Sequence, residues 1–101
     1  MESQIIISSL SRPVIDRTEL NNGSLFFLLC VEAKPLWVAG IVPGLVWDME
    51  QFAGWIAFDR SVQKPKSPKR RGVFFPEREL AIVHAEEMIT FAQHEIFSGL
   101  H

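Results

Sequence analysis

Between Pro76 and Phe97 apolar residues return every three or four positions, and the stripe they form is rich in alanine. Ala81, Ile82, Ala85, Met88, Ile89, Ala92 and Ile96 fall on one side of a 3.6-residue helix. Pro76 suits the first helical position, where a missing N–H has no intrahelical partner to lose. Glu77 and Glu79 sit where the helix dipole favours acids, and Gly99 marks the stop. Three alanines let the backbone of such a helix approach its neighbour closely, and a sheet is the surface that fits. The remaining chain is expected to supply one.

Its first half reads as strands. Gln4–Ser9 is a short β-branched run, and Arg12-Pro13-Val14-Ile15 extends it past an irregularity, because proline cannot donate to a ladder. Asn21-Asn22-Gly23-Ser24 is a turn signal. Ser24–Glu32 follows as a nearly continuous apolar strand, which implies that both its faces are covered. Ala33-Lys34-Pro35 turns the chain into a strand over Leu36–Val42, ended by Pro43-Gly44. Leu25–Trp47 has the length of a membrane span, but Glu32, Lys34 and Pro35 break it in the middle, so no membrane is expected. Asp48 with Gln51 makes a capping-box pattern, and Phe52, Trp55, Ile56 and Asp59 continue at helical spacing. That predicts a short middle helix, with a strand through Trp55–Phe58 as the rival. Gly54 weakens the helix by about 1 kcal/mol relative to alanine. Gly72–Phe75 is a further short strand. The fold class is α+β over one domain, residues 1–101: three to four mostly antiparallel strands with the C-terminal helix across one face.

An apolar fraction of 48%, with eight Phe and three Trp, is that of a globular chain with a real core. The lone Cys30, inside Leu25–Val31, excludes an internal disulfide and reads as a buried, inert thiol. Glu2 stands where a signal peptide needs cations, and Ile5-Ile6-Ile7 is too short for its apolar core. An intracellular, cytoplasmic protein is therefore expected.

Charge is segregated. Lys64, Lys66, Lys69, Arg70 and Arg71 are half of the ten Lys and Arg, and no acid lies among them. The other five against twelve Asp and Glu leave −7 on the rest of the molecule. Such a segment can neutralise nucleic-acid phosphates or dock on an acidic protein, or it can be a solvated connection between elements. It also resembles a nuclear-import patch, which suits a nuclear location in a eukaryote, and Ser67-Pro68-Lys69-Arg70 resembles a proline-directed kinase site. Trp37, Trp47 and Trp55 are read as core aromatics rather than base-stacking platforms.

The C-terminal helix has a second, partly apolar face carrying Leu80, Val83, His84, Glu87, Phe91 and His94. A helix apolar on two sides has both to cover, which points to self-association or a protein partner. His84 and His94 lie about 15 Å apart along the axis, too far for one ion, so no metal or other cofactor is expected. Ser61, Ser67 and Ser98 lack a nucleophile elbow, tyrosine is absent, and Glu86-Glu87 diverge around a helix. The chain thus reads as a non-catalytic protein-interaction module: an inhibitor, adaptor or assembly factor docking on a larger partner, of the size that phages and other compact genomes encode. A nucleic-acid-binding accessory protein using residues 64–71 is the alternative, and a small metal-dependent or hydrolytic enzyme comes third.

Overall fold

The structure, a computed structural model, describes residues 12–46, 51–62 and 72–99. Five strands, β1 (Val14–Glu19), β2 (Leu25–Val31), β3 (Lys34–Val46), β4 (Gln51–Ser61) and β5 (Val73–Phe75), form one antiparallel sheet in chain order. A single helix, α1 (Arg78–Gly99), closes the described chain. The α+β class and the helix-on-sheet arrangement follow the sequence pattern, while the strand number and the middle segment do not. The expected Gln4–Ser9 strand lies outside the described residues, and β1 begins at Val14.

Each connection has a local cause. Between β1 and β2, the Asn22 side chain accepts a hydrogen bond from Ser24 N at 2.9 Å, and Gly23 N donates to Leu20 O at 3.0 Å. Glu32 and Ala33 make a two-residue hairpin turn with φ of 53° and 64°, the positive pair that matches strand twist. The turn therefore precedes Lys34-Pro35, which instead open β3. Pro35 pairs with Cys30 at a register shift where the ladder is already interrupted.

Pro43 and Gly44 do not end β3, which runs on to Val46. Strand β2 begins at Leu25 opposite Ile41, so among the described residues Pro43 sits where β3 has one neighbouring strand and its missing N–H disrupts no second ladder. The expected middle helix is a strand. Pro43 pairs with Trp55, Gly44 with Gly54 and Leu45 with Phe52, with a bulge between Gly44 and Leu45. Helical spacing misleads here because both faces of β4 carry large apolar groups. Trp55 and Ala57 lie on the helix side and Ile56 and Phe58 on the other, which hides the two-residue period. Asp48 itself lies outside the described residues. Gly54 has φ of +150°, and a Cβ there would stand 2.6 Å from the Phe74 ring and 2.7 Å from Phe75 O, so this close approach of β5 requires glycine.

The core lies between one sheet face and α1. Leu25, Phe27, Leu29, Ala39, Ile41 and Ala57 meet Ala81, Ile82, Ala85, Ile89 and Ala92, all buried, with Met88 and Ile96 partly buried beside them. Alanines in both layers bring backbone close to backbone, as the stripe requires. The helix is held at its start by Arg78. Its Nε and Nη2 donate to Gly23 O, each at 3.1 Å, and Nη2 also donates to Glu19 Oε1 at 2.7 Å. The guanidinium lies 5.5 Å from the centre of the Trp55 ring. One side chain thus joins the helix to the β1–β2 turn and to β4.

Candidate interaction surface

With the alanine stripe on the sheet, the opposite side of α1 has nothing described above it. Leu80 is 50% exposed, Val83 52% and Phe91 64%. Glu87 and His94 are exposed as well. Val83, Glu86, Glu87, Thr90, Phe91 and His94 line a shallow groove of about 530 Å³ along this side. Of the six residues expected on an association face, five are open, and Leu80 extends the apolar line toward the helix start. His84 is the exception. It is half-buried on the flank, its ring 5.2 Å from that of Phe75 at 47°.

A second apolar surface went unread in the sequence. Leu45 (59% exposed) and Phe52 (56% exposed) are cross-strand partners in the part of the β3–β4 hairpin that outruns β2, and Phe52 packs edge-on against Trp55 at 5.2 Å. Assigning Phe52 to a helix separated it from Leu45; only the strand register brings the two together. The sheet face away from α1 is also apolar. Val42, Ile56, Phe58, Gly72 and Phe74 line a groove of about 450 Å³ there. Phe26 and Phe58 flank Gly40 on that face, their rings 6.1 Å apart and edge to face.

Lys64, Lys66, Lys69, Arg70 and Arg71 lie outside the described residues, as does Trp47. The chain leaves β4 with Val62 N donating to Leu36 O at 3.0 Å, and it returns at Gly72 against the Ile56 side chain. Trp37 donates from Nε1 to Asp59 Oδ2 at 2.8 Å and packs on the core, and Trp55 packs on the core beneath Arg78. Both are structural. Cys30 is half-buried rather than buried, on the sheet face away from α1. Among the described residues no three His, Cys, Asp or Glu gather as metal ligands, and no helix is long and apolar enough to cross a membrane. No family model, curated protein or solved structure matches the chain.

Proposed function

We propose that the chain is a non-catalytic protein-interaction module, an inhibitor, adaptor or assembly factor, and that the outward face of α1 is its docking surface. The observation that carries this reading is the half or greater exposure of Leu80, Val83 and Phe91 on one side of a helix whose other side is fully used by the fold. Large apolar side chains gathered on one element mark a contact surface more often than scattered ones do. Glu86 and Glu87 edge the groove, so the complementary surface combines apolar groups with cationic or hydrogen-bond-donating ones.

A photo-crosslinking amino acid in place of Phe91, with a second placed at exposed Thr18 on β1 as control, tests the reading. Protein adducts at position 91 and none at position 18 support it. Equal labelling at both, or none at either, overturns it.

The alternative, nucleic-acid binding through residues 64–71, is favoured by five cations without an intervening acid, and opposed by the −7 on the rest of the molecule. If five phosphates are neutralised on duplex DNA, the log–log slope of affinity against salt should approach about −4 to −5. That slope, lost on changing Lys66, Lys69, Arg70 and Arg71 to alanine, would establish this reading in place of the first.

A further inference from the structure

We propose that the occupant of the α1 face is a second copy of this chain, bound through an antiparallel helix pair. This rests on the reading of that face as a docking surface, and it fixes the partner and the register. Numbered in heptads, Leu80, Glu87 and His94 repeat at one seam position, while His84 and Phe91 repeat at the other, with Glu77, one residue before the helix start, continuing that line. A twofold axis passing beside Ala85 and Glu86 sets the two kinds of position opposite one another. Leu80 then faces Phe91 of the second copy, His84 faces its Glu87, and His94 faces its Glu77. Every layer occurs twice. Each pairs an apolar side chain with an apolar one, or a carboxylate with an imidazole, which carries an N–H donor whether neutral or charged.

Two competing arrangements lack this match. A seam built on Val83 in place of His84, with its axis beside Ala85, sets Val83 against Glu87 of the second copy. A parallel pair sets Glu87 against Glu87, like charge on like, which is destabilising. Five of the six positions are open: Leu80 and Phe91 are 50% and 64% exposed, and Glu77, Glu87 and His94 are exposed, while His84 is half-buried beside Phe75. The seam from Glu77 to His94 runs about 25 Å, the scale of a short two-helix interface.

The test is sedimentation velocity on the full chain over a concentration series, with circular dichroism to confirm folding. The wild type is expected to dimerise. Leu80→Lys and Phe91→Glu, both at exposed positions, should each leave the fold intact and weaken self-association at least about 30-fold, because a charge then meets an apolar group in two layers. An equimolar mixture of the two variants should regain the dimer, since the introduced lysine faces the introduced glutamate in one layer and Leu80 faces Phe91 in the other. The double variant in one chain should dimerise as well. A wild type monomeric at every concentration, a dimer indifferent to both substitutions, or single variants that neither mixing nor combination restores would each overturn the proposal. A monomer that still forms adducts with another protein at position 91 would overturn it while leaving the docking-surface reading in place.

Discussion

Arg78 ties the start of α1 to the β1–β2 turn and to β4. It bonds the carbonyl of a turn 55 positions earlier, pairs with Glu19 and covers Trp55. The ion pair is partly exposed and contributes little by itself, but the charged hydrogen bonds and the ring contact add to it. Arg78→Ala should lower stability by about 1–2 kcal/mol in chemical denaturation, and Arg78→Lys should recover little, since an ammonium lacks the planar fork. The opposite sign is expected in the β2–β3 turn, where Ala33 holds a φ of 64° that an L side chain disfavours. Ala33→Gly should raise stability by up to about 1 kcal/mol, measured the same way. The Asn21–Ser24 turn was legible because its signal is local. The part played by Arg78 was not, because it depends on a carbonyl and a ring brought to it only by the finished fold.

At the level of elements, helix and hairpin differ in how openly the sequence declares them. The phase of α1 was readable because one face is alanine-rich and the other mixed, and Ala85 is fully buried where the stripe places it. Ala85→Leu should overpack the helix against the sheet and cost about 1–3 kcal/mol. An unchanged melting temperature would mean that Ala85 does not face the core. The β3–β4 hairpin was misread on both arms. Pro43-Gly44 reads as a stop until β2 is known to end before it, and a strand apolar on both faces shows no alternation. Among the described residues, the part of this hairpin beyond Ile41 pairs with no strand on its β2 side, so its amides should exchange with solvent faster than those of Trp37–Ala39. Gly54→Ala, forced against Phe74 and the Phe75 carbonyl, should lose more than about 2 kcal/mol.

Across the whole molecule, apolar surface is distributed beyond the needs of a single core. One face of α1 and one face of the sheet make the fold. The outward face of α1 and the Leu45–Phe52 pair on the hairpin remain exposed, while on the far sheet face Phe74 is exposed and Phe58 is buried. The outward side of α1 could be read from sequence because the helical period sorts residues by side; the hairpin surface could not, because it needs the strand register. That a docking role follows is our proposal, and its central claim is that α1 serves the fold with one side and a partner with the other. Phe91→Asp separates these roles. Sedimentation equilibrium of wild type and variant, each confirmed folded by its dichroism, should give a mass above the monomer for the wild type and the monomer mass for the variant. The variant's unfolding free energy at dilution should stay within about 0.5 kcal/mol of wild type, as for an exposed position. A variant that loses its fold would contradict the claim and make Phe91 part of the protein's own core; equal masses with both proteins folded would contradict a second copy bound through Phe91.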